Sequence, residues 1–353
     1  MEYVVSARVA QFDIQAFVNL EPQRKAAITP LLNMRGKDMV QLDKFAQQWG
    51  DYPYMYDVSR FAADAKSELI TTLGLNDPAG HFAAKRALYD VMRGKNGAMI
   101  PVVGWRDGDP LRDIIQFTLG LAQSYEQVAI RINMHLKSAQ SVLSALLAVV
   151  TNPKNLIVLF DYESIARGGM PDTSAQGLLA SLMAECCAVG IERIVLMSSS
   201  YPIDKPTNGS VRWAPCHDVA WQLQMKVQNP ELSLIFGDYG ATDPNANVEY
   251  IVGMSVIPFA NYYTPLEWWQ KRLGGDKECE RYVDMAKDIR ALAGYHGDSF
   301  CWATKEIARI AATGDQYGNN GKWNGYKINQ HICAQLDVLR ATAYGVVEEE
   351  DEE

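Results

Sequence analysis

The run Leu156-Ile-Val-Leu-Phe-Asp-Tyr-Glu163 constrains the fold more than any other stretch of this chain. It is apolar without interruption until it closes on Asp161 and Glu163. Continuous hydrophobicity of this kind is what a strand covered on both faces requires, as in a parallel sheet flanked by helices. Leu232-Ser-Leu-Ile-Phe-Gly-Asp-Tyr-Gly240 repeats the design: an apolar run breaks at Gly237, and Asp238 sits where the strand opens into a loop.

Six further segments follow the same plan: 3–8, 28–35, 53–57, 98–105, 127–133 and 193–200. Helical patterns separate most of them. Phe12, Ala16, Phe17 and Leu20 recur at helical spacing. From Asp38, a plausible N-cap, to Trp49, the residues Val40, Leu42, Phe45 and Trp49 share one side. A polar helical stretch from about Arg60 to Arg93 breaks at Asp77-Pro-Ala-Gly80, and Arg106-Asp-Gly-Asp-Pro110 is a turn before a helix reaching Tyr125. Strands alternating with helices argue for a parallel sheet, and eight such units predict a (β/α)8 TIM-like barrel with every strand end on one face. A doubly wound open sheet is the main alternative; its nucleotide-binding form is weakened because no glycine fingerprint follows the first strand.

The barrel is expected over residues 1–275. An irregular, aromatic-rich C-terminal extension, residues 276–345, is expected to pack on it, followed by a disordered acidic tail, 346–353. Within the later segments, Tyr250 to Pro258 reads as an extra strand or a loop. Leu266-Glu-Trp-Trp-Gln-Lys-Arg-Leu273 reads as a helix capped by Thr264, and Cys279 to Ala293 as another helix. Residues 296–330, including Gly318-Asn-Asn-Gly-Lys-Trp-Asn-Gly325, read as an ordered covering loop.

Composition narrows the function class. The formal net charge of the 353-residue chain is −9, and the tail Glu348 to Glu353 carries six of those charges, leaving the body at −3. A body so near neutrality lacks the basic footprint of a phosphate-backbone binder, so nucleic acid is an unlikely partner. No signal-like leader and no run of about 18 apolar residues occur, which excludes a membrane span from the expectation. Cys186, Cys187, Cys216, Cys279, Cys301 and Cys333 lack zinc-type spacing and read as reduced thiols of a cytoplasmic protein.

In a barrel, Asp57, Arg131, Asp161, Glu163, Ser200 and Asp238 stand at strand ends and converge on one mouth. Paired carboxylates hold a divalent metal or divide acid and base roles, and an arginine clamps phosphate or carboxylate. The same residues also suit a structural network in which Arg131 neutralises Asp161 or Asp57. Candidate catalytic groups are therefore Asp57, Asp161, Glu163, Asp238 and His296, with a divalent metal possible at the carboxylate cluster but no dedicated metal motif. Candidate ligand contacts are Arg131, Asn133, Ser200, Tyr239, Tyr263 and Trp323. His296 and His331, both in the C-terminal segment, are candidates to meet in space. Ser198-Ser-Ser200 is no nucleophile elbow, which needs flanking glycines.

The order of several segments carries a resemblance. Tyr3-Val-Val, Ala16-Phe-Val-Asn-Leu20, Ile28-Thr-Pro-Leu-Leu32, Ala129-Ile-Arg131, Leu159-Phe-Asp161, Ser199-Ser-Tyr-Pro202, Phe236-Gly-Asp-Tyr-Gly240 and Tyr263-Thr264 resemble the beta family of phage and bacterial proteins. Ser299 to Ala308, Trp323 and Gln330-His331 resemble its C-terminal signature. The chain departs from the family pattern at Tyr317-Gly-Asn-Asn320 and at Gln330-His331, where Gly-Pro-Gly-Asn and a His-His pair are common. The family's namesake belongs to satellite-phage loci that carry a toxic gene, gop, together with beta and a small repressor. The resemblance implies an antitoxin or immunity role in phage defence, with the co-encoded toxin as partner; it transfers no catalytic residue. Two readings follow: neutralisation by direct binding, or a barrel enzyme or sensor acting on a small phosphorylated or nucleotide-like ligand at the strand C-terminal mouth.

Overall fold

The computed structural model describes residues 1–58, 61, 64–165, 171, 173–245 and 256–344. Strands β1 (Tyr3–Arg8), β2 (Ile28–Met34), β3 (Tyr54–Val58), β4 (Met99–Val103), β5 (Val128–Asn133), β6 (Leu156–Ser164) and β7 (Arg193–Ser199) are parallel neighbours in chain order. After β7 the chain leaves the ring for β8 (Val211–Pro215) and returns as β9 (Leu234–Asp238), which pairs with β7 and β1 and closes an eight-stranded barrel. The TIM-like architecture expected from the sequence is therefore the architecture found.

Outside the ring lie α1 (Gln11–Val18), α2 (Pro22–Ala27), α3 (Val40–Trp49), α4 (Glu68–Thr72), α5 (Ala79–Lys95), α6 (Leu111–Ser124), α7 (Ala139–Val149), α8 (Thr173–Ala188) and α9 (Asp218–Gln228). Asp38 assists the start of α3 by accepting the Val40 N–H at 3.1 Å, although the cap position itself is Met39. The strand pleat sorts side chains into two cores. Val4, Leu31, Met55, Ala129, Leu159 and Val195 fill the barrel interior. Tyr3, Val5, Tyr54, Tyr56 and their neighbours pack outward against the helices. Gly237 faces inward, where a Cβ would come within 2.8 Å of the Leu196 carbonyl oxygen and the Met197 Cγ, so only glycine lets β9 approach β7 this closely.

The C-terminal part corrects two expectations. Leu266–Leu273 is not a helix: β10 (Phe259–Thr264) and β11 (Glu267–Arg272) form an antiparallel hairpin, and β8 adds to β11 to make a side sheet. Thr264 is not a helix cap. It pairs with Glu267 across a two-residue turn, Pro265-Leu266, in which Leu266 has φ of 67°. The adjacent Trp268 and Trp269 point to opposite faces, as strand alternation requires, and each finds an apolar cover. Trp268 packs against Tyr201, Tyr263 and His331.

Residues 296–330 are likewise largely helical. After α10 (Arg281–Arg290) come α11 (Trp302–Thr313) and α12 (Asn320–Tyr344), whose N-terminal half lies across α1 and whose far end reaches Glu2 through Arg340. Gly321 and Gly325, four residues apart, are the reason. A Cβ at Gly321 would stand 2.3 Å from the Phe12 ring and one at Gly325 2.9 Å from the Phe12 carbonyl. They permit a close helix crossing and do not mark a loop. Among the described residues, no helix is long and apolar enough to cross a membrane. The acidic tail lies outside the described residues, as does most of the stretch from Tyr250 to Pro258.

Candidate functional site

Arg131 rises from β5 into the barrel axis and meets residues from four other places in the ring. Its Nε donates to Asp161 Oδ2 at 2.8 Å, and its Nη1 donates to Asn33 Oδ1 at 2.6 Å and Asp57 Oδ2 at 3.0 Å. Its Nη2 donates to the Tyr239 hydroxyl at 2.9 Å, and that hydroxyl in turn donates to both Asp161 oxygens at 2.6 and 2.7 Å. Phe61 lies edge-on to Tyr239 and within 5.7 Å of the guanidinium. Lys85, reaching in from α5, stands 3.7 Å from Asp57 Oδ1. Arg131, Asp57 and Asp161 are all fully buried.

Two cations and two carboxylates make this cluster charge-balanced. Burial alone would weaken the basicity of Arg131, but Tyr239, Asp161 and Asp57 more than offset it and hold the guanidinium above its ordinary value. The Tyr239 phenol is pushed well up, chiefly by burial and then by Asp161. The guanidinium occupies the space between Asp57 and Asp161 where a divalent cation would have to sit. Among the described residues, no three His, Cys, Asp or Glu groups are placed to hold a metal ion.

Asp238 does not join this cluster. Its neighbour Tyr239 takes the inward position, so the pleat turns Asp238 outward, where Tyr3 donates to Oδ1 at 2.5 Å and His331 Nε2 meets Oδ2 at 2.7 Å. Ser200 is also off the axis. Its hydroxyl and backbone N–H both donate to Asp218 Oδ2, at 2.5 and 2.6 Å, and Ser198 donates to the other carboxylate oxygen at 2.6 Å. Asn133 and Glu163 stand together on the rim, 2.6 Å apart.

The remaining candidates belong to the packing of the C-terminal helices. Tyr263 is held by Gln330, which accepts its backbone N–H and donates to its carbonyl like a strand partner, and its hydroxyl donates to Gln335. Trp323 stacks on Tyr282 with rings 4.5 Å apart and donates to the Tyr317 carbonyl. His296 bonds to the Tyr262 hydroxyl at 2.8 Å and stacks on Phe300. His331 packs on Tyr263, the next residue, so the two histidines lie on opposite faces of β10 and do not meet.

Sequence reasoning missed Asn33, Phe61 and Lys85, which complete the axial cluster, and Asp218, which anchors the serines. It also missed the buried pair Asp13 and Lys327 on the rim. An aspartate beside the apolar positions Phe12, Ala16 and Phe17 was a usable signal for Asp13. For Lys327 there was none once its helix was read as a loop.

A family model described as Beta protein matches residues 3–337. Protein beta of Enterobacteria phage P4 is 24% identical over 361 residues, an alignment covering 99% of this chain and 97% of that protein.

Proposed function

The chain belongs to the Beta protein family, and from that membership we propose that it is an antitoxin or immunity protein of a phage-defence module, neutralising a co-encoded toxic protein by direct binding. The observation that favours binding over catalysis is the state of the barrel mouth. Arg131, Asp57 and Asp161 are fully buried, and the guanidinium is bonded to both carboxylates. A group that turns over a substrate has to reach it.

Neutralisation by contact needs area and complementarity, on the order of 1,000 Å² for a stable complex. The surface we assign to it is the outer edge of the side sheet. There β8, the edge strand, leaves Val211 and Trp213 each 48% exposed, and Leu266 of the adjoining turn is 46% exposed. Exposed tryptophan on a strand edge is the type of side chain that dominates binding energy in interfaces. All six cysteines are free thiols, in keeping with a cytoplasmic site of action.

Toxin rescue in cells, with wild type, Asp161→Asn and Trp213→Ala compared, tests the reading, folding and toxin co-purification being checked for each. Rescue by Asp161→Asn and loss of both rescue and co-purification in Trp213→Ala is the expected result. An Asp161→Asn protein that folds and holds the toxin yet no longer rescues would sink neutralisation by contact.

A further inference from the structure

A second group of charged residues, separate from the axial cluster, gathers on the rim where β1, the loop after β7 and the first turns of α12 come together. Lys327 projects from α12 and is 7% exposed. Its ammonium lies 4.3 Å from the ring centre of Tyr201, two residues past the end of β7. It donates no hydrogen bond among the described residues, and its nitrogen is not one of the atoms shut off from solvent without a partner. A nine-tenths buried amine whose nitrogen touches solvent but has no protein acceptor is open to an acceptor brought by a ligand.

Its surroundings indicate what that partner is. Asp13, also 7% exposed, accepts a hydrogen bond at 3.0 Å from Asn324, one turn before Lys327 on α12. Burial pushes the Asp13 carboxyl up to about 6 against the pull of Lys327, Arg8 and Arg35. Burial draws the Lys327 amine down to about 7, opposed by Asp13 and assisted by Lys205. Arg8 and Arg35 both face Asp64, at 3.0 and 3.6 Å. Arg8 and Arg35 are thus matched to Asp64, whereas Lys327 is influenced by Asp13 and Lys205 and has no ion-pair partner of its own among the described residues.

We propose that this rim is a binding subsite for a phosphoryl group, with Lys327 as its inner donor, Tyr201 as its wall, and Arg35 and Lys205 at its margin. A buried lysine without a protein acceptor suits an oxyanion, which it serves as a point charge. The location agrees with a general property of barrels, which commonly hold phosphate on the loops after the seventh and eighth strands. Tyr201 and Lys205 follow β7, and Pro244, whose carbonyl accepts from Arg8 Nη2 at 3.0 Å, follows β9, the eighth strand of the ring. The subsite does not depend on toxin binding, which uses other residues.

The test takes the full chain and inorganic phosphate as the probe. Reductive dimethylation is followed at Lys327 by peptide mass spectrometry in phosphate, acetate and chloride at equal ionic strength, with the exposed Lys154 as internal control. Phosphate is expected to slow labelling of Lys327 several-fold and to leave Lys154 unchanged. By calorimetry, phosphate binding is expected in wild type and Lys154→Met but not in Lys327→Met. Equal labelling of Lys327 in phosphate and chloride overturns the proposal, as does the absence of labelling in every buffer, which would show an inaccessible amine. Equal protection by acetate overturns the phosphoryl assignment. Undiminished phosphate binding by Lys327→Met places the anion elsewhere.

Discussion

Arg131 and Asp161 face each other at 2.8 Å in the barrel axis with neither side chain exposed to solvent. In that setting the ion pair stabilises the mouth, because removing one charge leaves the other buried without compensation. Asp161→Asn is accordingly expected to lose roughly 3–5 kcal/mol of stability. Urea unfolding of the purified variant measures it. A loss below about 0.5 kcal/mol would show that water reaches the cluster and relieves it.

The rim gives a pH signature. Lys327 is charged in the unfolded chain up to its ordinary value of 10.5 but is held near 7 when folded. Between those values the unfolded state binds the additional proton, so wild-type stability rises with pH across the window. Lys327→Met removes this dependence. Its stability advantage should be largest at and below pH 7 and should shrink by about 1.4 kcal/mol per unit of pH above it. Denaturant unfolding from pH 6.5 to 9.5 checks the slope, and a pH-independent difference would mean that the amine is not held down by burial.

Asp13 carries the opposite sign. Its folded carboxyl titrates at about 6 against 3.8 when free, so the native state binds the additional proton between those values and stability falls as pH rises through them. Asp13→Asn should match wild type below that window and exceed it above pH 6. The same unfolding series extended to pH 4 measures the crossover, and a gain confined to the acid side would reverse the assignment.

Gly321 lies against Phe12 so closely that any side chain must displace it. Gly321→Ala is expected to cost about 1–3 kcal/mol through overpacking. Adding Phe12→Ala should make the double variant less damaged than the sum of the two single changes. Additive effects in thermal or urea unfolding would mean that the helices already have slack.

Trp213 is half exposed on the edge strand. Trp213→Ala should therefore leave stability within about 0.5 kcal/mol of wild type while removing toxin co-purification. Retained co-purification would move the contact off the side sheet.

The eight strands and the ring they form were written locally in the sequence. A strand covered on both faces has to be apolar along its length, and Leu156–Phe160 or Ile194–Met197 carry that property without reference to any other part of the chain. The same locality placed Asp57, Arg131 and Asp161 at strand ends. The direction in which each side chain points was decided by closure of the ring. Pairing Val4 with Gly237 and Val5 with Asp238 sends Tyr239 inward and Asp238 outward. A shift of one residue would have exchanged them. The C-terminal segment was settled further still from its own sequence. Its glycines resemble those of a loop until Phe12, more than 300 positions away, occupies the space that side chains would fill. Its tryptophan pair resembles a helix until the two faces of a sheet are present to bury them. Sequence determines what a segment demands by way of burial, and the tertiary structure decides which neighbour meets the demand, because that neighbour comes from a distant part of the chain.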